Sequence, residues 1–100
     1  MYNKPIADWQ RVLDVNLTGV AITDRLAARH MLALETSGSI INIASIAGKR
    51  PLPGAADYCV SKAGVIMLTT VFATELATKN IRVNAIGPVS YTHLTLPTTD

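Results

Sequence analysis

The chain has 100 residues, 49% of them hydrophobic and 16% charged, which is enough apolar material for a core and too few charges for a disordered segment. Its net charge of +2 comes without a basic cluster, so nothing points to nucleic acid as a partner. The single cysteine, Cys59, excludes an intramolecular disulfide and a cysteine-only metal site.

A chain this short buries a smaller share of its surface than a full domain does. No stretch approaches the roughly 20 uninterrupted apolar residues of a membrane span. No signal peptide is visible, because the first ten residues include Asn3, Lys4, Asp8 and Gln10. The expectation is a soluble, cytoplasmic protein with no membrane partner.

Residues 1–7 read as irregular, punctuated by Pro5. Asp8 caps or begins a helix in which Trp9, Val12, Leu13, Leu17, Val20 and Leu26 recur at helical spacing. Arg11, Asp14, Asp24, Arg25 and Arg29 are expected mostly on its wet side. One helix is read to about Glu35, kinked near Asn16. Gly19 inside it costs about 1 kcal/mol against alanine and marks close packing or a bend.

Thr36-Ser37-Gly38 is a turn. Ser39 to Ala44 is an apolar run that reads as a buried parallel strand, with Ser45 at its C-terminal end. Residues 47–54 hold two prolines and two glycines and read as a loop. The next helix is predicted from about Ala55 to Thr78, with Lys79 suiting its negative end and Asn80 stopping it. Val60, Val65, Ile66, Met67, Leu68, Val71, Phe72 and Leu76 cover more than one side of it, and such a helix is normally buried all round. Arg82 to Ile86 is a second strand, stopped by Gly87-Pro88. Helix, strand, helix, strand gives a βαβ unit and a parallel sheet, hence the α/β class. Residues 89–100 contain no Lys, Arg, Glu, Ala or Gly. They read as a divergent, non-native tail resembling translated adapter sequence, with no fixed structure. The alternative is a divergent loop ending in a short alternating strand.

Tyr58 and Lys62 are four apart, which on a helix places both on one face. A phenol ionises only near pH 10, and a neighbouring ammonium favours the phenolate. The pair therefore reads as a proton-transfer unit. The bland alternative is a tyrosine packing its ring and a solvated lysine. No charged residue occurs from Ala63 to Thr74, so Lys62 borders an apolar region and needs a specific partner. A hydroxyl such as that of Ser45, at the C-terminal end of a strand, points into the crevice where open α/β sheets bind ligands; otherwise it bonds nearby backbone. Asn16 is unfavourable inside a helix and needs a reason to be there. His30 and His93 have no acidic or cysteine cluster near them and read as non-ligands. No metal site is expected, and Cys59 reads as a small core residue.

Four ordered motifs carry a resemblance: Asp14-Val15-Asn16-Leu17-Thr18-Gly19, Ile41-Asn42-Ile43-Ala44-Ser45, Tyr58-x-x-x-Lys62 followed by Ala63-Gly64, and Ile81-Arg82-Val83-Asn84-Ala85-Ile86-Gly87-Pro88. Over roughly residues 1–88 the chain resembles the short-chain dehydrogenase/reductase family. The resemblance implies a Rossmann-like, doubly wound parallel sheet. It would be incomplete, with residues 1–88 forming only the catalytic half, from the C-terminal part of a truncated member. It implies hydride transfer between NAD or NADP and a secondary alcohol or ketone. Substrates like those of 3-oxoacyl-carrier-protein reductases or of sugar and polyol dehydrogenases both fit.

By the same resemblance, Tyr58 is the general acid or base, and Lys62 binds the nicotinamide ribose. Ser45 polarises the substrate oxygen, and Asn16 serves a water-mediated relay to Lys62. Pro88 packs along the nicotinamide, and Asn84 is mainly structural. Val89 stands where the family has glycine. No two of the six glycines form Gly-x-Gly, so the family's pyrophosphate-binding turn is missing. The fragment is therefore expected to be inactive alone, and the intact parent a dimer or tetramer. The alternative function is a non-catalytic oligomerisation module derived from the same fold.

Overall fold

The computed structural model describes residues 1–88 and 93–96. The first helix begins at Pro5, whose carbonyl accepts the N–H groups of Asp8 (3.1 Å) and Trp9 (3.3 Å). α1 spans Ile6–Leu13. Asp8 is thus in the first turn, where a carboxylate suits the helix dipole, and is not the cap. The chain continues through a π-helical segment, Asp14–Thr18, into α2, Gly19–Ala33. Where a kink is expected, near Asn16, the helix widens into a π turn, with Leu13 and Gly19 on either side in ordinary helical conformation. Such π-bulges are rare and often lie at functional sites. α2 ends short of Glu35, which turns out with φ 54°.

β1 is Gly38–Ile43, so Ser45 lies two residues past the strand and not at its tip. A short 3₁₀ turn, Ile46–Gly48, occupies the start of the expected loop. α3 is Ala56–Leu76, extended by a 3₁₀ turn over Ala77–Lys79. Asn80 stops it in the left-handed conformation, φ 59°, a position that tolerates asparagine. β2 is Ile81–Pro88, longer than expected at both ends. β1 and β2 pair in parallel, from Gly38↔Ile81 to Ile43↔Ile86, which is the predicted βαβ unit. β3, His93–Leu96, runs antiparallel to β2 and gives the order β1-β2-β3. The segment expected to lack structure thus contains an edge strand over these four residues, as in the alternative reading of the tail. The expectations for residues 89–92 and 97–100 lie outside the described residues.

Helices cover the sheet face that carries Ile40, Asn42, Val83 and Ala85. Ile40, Val83, Ile81, Ala28, Ala73 and Leu76 form one core cluster, and Ala44, Val65 and Ala85 a second, flanked by Leu17, Val20 and Ile66. On the other sheet face Ile41 and Ile43 remain 57% and 55% exposed. α3 with its 3₁₀ extension, Ala56–Lys79, is long and apolar enough to cross a membrane by length and composition. Here it is the crossover helix of the βαβ unit.

The wet and dry sides of the two long helices differ from the expectation. Asp24 is buried, because it follows Val20 by one turn and Asn42 donates to it at 2.7 Å. Leu26, expected in the apolar stripe, is exposed, since six positions from Val20 is off that face. On α3 the buried stripe is Asp57, Ser61, Val65, Thr69 and Ala73, four apart, followed by Leu76 three positions on. Val60, Met67 and Val71 face outward.

Candidate active site

The first turns of α3 bring two of the expected residues together, Tyr58 and Lys62. Lys62 Nζ lies 5.7 Å from the Tyr58 ring centroid. It also donates to the carbonyl of Ile43, at 3.3 Å, so the partner that its apolar surroundings demanded is the end of β1. Ser45 Oγ accepts the N–H of Ala47 at 3.2 Å and so opens the 3₁₀ turn. That is the local backbone bond the sequence allowed. It leaves the hydroxyl proton free to point elsewhere.

Asn16 sits in the π segment, and its amide donates across to Ser61 Oγ at 3.3 Å. Ser61 in turn donates to the carbonyl of Tyr58 at 2.7 Å. Asn16 is therefore tied to the Tyr58 turn through a wholly buried serine, and not to its own helix backbone. Pro88 closes β2. Cys59 is half-buried, with its thiol donating to the Arg50 carbonyl at 3.8 Å. It is not a core residue, because it lies beside the 49–55 loop. Among the described residues no cluster of three or more His, Cys, Asp or Glu side chains could hold a metal.

Two further groups brace the site, and their residue types gave little sign of it. Lys4 Nζ forms a 2.8 Å ion pair with Asp57 Oδ2, while Asp57 Oδ1 accepts the N–H of Tyr58 at 2.8 Å. The Lys4 hydrogen bond, with help from that N–H, holds the Asp57 carboxyl below its ordinary value. Farther down α3, Asn42 donates to both Asp24 and Thr69 (2.9 Å), and Thr69 donates to the Val65 carbonyl. Burial pushes the Asp24 carboxyl up, against the bond from Asn42. A charged residue directly before Tyr58, and polar residues four apart along an apolar helix, were the available signals.

An open cleft of about 570 Å³ runs beside β1, lined among others by Asn16, Asp24, Asn42, Ile43 and Lys62. The larger cleft, about 770 Å³, lies at the opposite end of the strands near Gly38, Asn80 and Arg82, and touches none of the expected site residues. Of these two clefts, the smaller has the titratable Asp24 and Lys62 on its wall together with Asn16, while Tyr58 and Ser45 do not line it.

A model of the short chain dehydrogenase family matches residues 2–96. The chain is 53% identical over 85 residues to 3beta-hydroxysteroid dehydrogenase 1 of Eggerthella lenta, covering 85% of this chain and 33% of that protein. It is 47% identical over 83 residues to the 3-oxoacyl-[acyl-carrier-protein] reductase of a Synechocystis species, covering 83% and 33%. It superposes on an NAD+-bound xylitol dehydrogenase with a TM-score of 0.82 at 41% identity, covering 87% of this chain and 33% of that one. The chain thus spans about a third of the length of the curated relatives it matches. These matches do not support the expected placement of that third in the C-terminal part of the relatives.

Proposed function

Because the chain belongs to the short chain dehydrogenase family, we propose that it carries the proton-transfer part of an oxidoreductase acting on a secondary alcohol or ketone with NAD or NADP. The observation that carries this is Lys62, one turn from Tyr58, with its ammonium 5.7 Å from the ring and anchored on the last carbonyl of β1. Tyr58 gives a proton to the substrate oxygen in reduction and takes it back in oxidation, through its phenol oxygen. Ser45 donates its hydroxyl to that same oxygen as charge develops on it. Asn16 holds the Tyr58 turn through Ser61.

The residues present fit one end of a dinucleotide only. Lys62 and Tyr58 offer donors to a ribose, and Pro88 lies at the end of β2, but no Gly-x-Gly turn is available for a pyrophosphate. When bound, the nicotinamide supplies or accepts the hydride, and the protein positions it. We read the 100 residues alone as catalytically silent for this reason. Substrates of the 3-oxoacyl-carrier-protein or sugar and polyol classes both remain in view.

The outward faces of the helices support a further part of the reading. Val15, Ile22 and Leu26 on one, and Val60, Met67 and Val71 on the other, are 45% to 69% exposed. A second copy of the chain would cover them in a two-fold contact. Leu68 and Phe72 are half-buried, so they are not the residues that would meet it.

The test is a graft. Residues 1–88 replace the matching stretch of the Synechocystis reductase, and NAD(P)H-dependent ketone reduction is measured. The graft is expected to be active, and Tyr58→Phe to lower turnover at least about 10²-fold, as for loss of a general acid–base group. Undiminished turnover in that variant would leave the non-catalytic oligomerisation module as the reading.

A further inference from the structure

Six residues, Ile43 to Gly48, are pinned to Lys62 at both ends. At the first end the Ile43 carbonyl accepts the Lys62 ammonium at 3.3 Å. At the other end Gly48 lies on the backbone of α3. A Cβ on Gly48 would stand 2.9 Å from the Lys62 carbonyl carbon, 3.0 Å from the Ala63 amide nitrogen and 2.9 Å from Ile66 Cδ1. Two of these three are helix backbone, which cannot step aside as a flexible side chain does. Between the two pins the path of the chain is fixed locally. Ser45 Oγ accepts the N–H of Ala47, the Ser45 carbonyl accepts the N–H of Gly48 at 2.9 Å, and Ala47 is 3% exposed. Ser45 therefore rides on a turn whose distance from Lys62 is set by how closely Gly48 approaches the helix.

We infer that Gly48 is a positioning residue: the absence of a side chain there seats the Ser45 turn against Lys62 and so fixes the Ser45 hydroxyl relative to the Tyr58–Lys62 pair. This rests on the role given to Ser45, Tyr58 and Lys62 above. Gly48 itself touches no reacting atom. A side chain at 48 would lift the turn off α3 by some tenths of an ångström or more, and misplacements on the ångström scale cost about 10²-fold in rate.

The first measurement uses the 100-residue chain. In Gly48→Ala, amide exchange at Ala47 should speed up at least about tenfold, with protection in β1 and in α3 from Val65 to Thr69 unchanged, as for a local displacement. Unchanged exchange at Ala47 would overturn the inference. The second uses the graft with Gly48→Ala, Ser45→Ala and the double variant. Each single change should lower turnover, Gly48→Ala by about 10- to 100-fold, and the double variant should be no slower than the slower single one, because both act through one hydroxyl. Multiplying losses would show that Gly48 acts elsewhere, overturning the inference and leaving Ser45 its role. Full turnover in Ser45→Ala would instead overturn the role of Ser45, and the inference with it. Where Gly48→Ala alone does not fold, Gly48→Ala with Ile66→Ala relieves the side-chain contact and keeps the backbone one. The same non-multiplying pattern with Ser45→Ala is then expected.

Discussion

The two faces of α3 invert the usual assignment of residue types. The buried face carries Asp57, Ser61 and Thr69 beside Val65, Ala73 and Leu76, while the outer face shows Val60, Met67 and Val71. Three polar groups can be buried because each finds a partner: Lys4 for Asp57, Asn16 and the Tyr58 carbonyl for Ser61, and Asn42 for Thr69. Burial here is decided by geometry and satisfied hydrogen bonds, and apolarity alone did not predict it. The outer face shows apolar side chains without being internal, and it is the face for which the proposed function supposes a second copy.

The sharpest way to break this contrast is a charge on each face. Val65 is fully buried, so Val65→Asp leaves an unpaired charge in the core and should cost about 4 kcal/mol or more, enough to unfold the chain in urea titrations. Next in size is Asn42→Ala. It strips Asp24, 3% exposed, of its donor, for an expected loss of about 3 kcal/mol. Part of that loss should return when Asp24→Leu is added, because the buried carboxyl is then gone, while the Thr69 hydroxyl still lacks its Asn42 donor and keeps only its bond to the Val65 carbonyl.

Smaller effects distinguish the two buried carboxyls by sign. Asp57 ionises below the ordinary 3.8. Its contribution is complete above that value and fades as pH falls through its lowered one. Lys4→Met should remove this acid-side loss. Asp24 binds its proton more tightly in the folded chain than the ordinary 3.8, so stability falls as pH rises from there through its raised value. Asp24→Asn should flatten that fall. Urea midpoints taken from about pH 2 to 7 read both slopes, and equal slopes in the two variants would refute the assignment. The smallest effect on folding belongs to Met67→Asp, within about 0.5 kcal/mol for an exposed position. The same change should weaken self-association in sedimentation if the outer face meets a second copy.

Spacing along the chain settled a good deal. The order of helix, strand, helix, strand and the parallel pairing follow from the apolar runs between residues 8 and 88. The proximity of Tyr58 and Lys62 follows from helical periodicity alone, since four residues make one turn wherever a helix forms. Asn80 as a stop, and a disturbance near Asn16, were legible because those residue types are poorly placed in a helix interior. Distance in space was not legible. Nothing in the sequence says that Lys4 reaches Asp57, that Asn16 reaches Ser61, or that Asn42 joins Asp24 to Thr69, because each pair comes from separate elements whose meeting depends on how they pack. The same holds for Gly48, whose missing side chain matters only once the turn lies on α3. Local periodicity fixed which residues share a face. The packing of α2 and α3 on the sheet decided which face was wet, because only there do buried polar groups find, or fail to find, their partners.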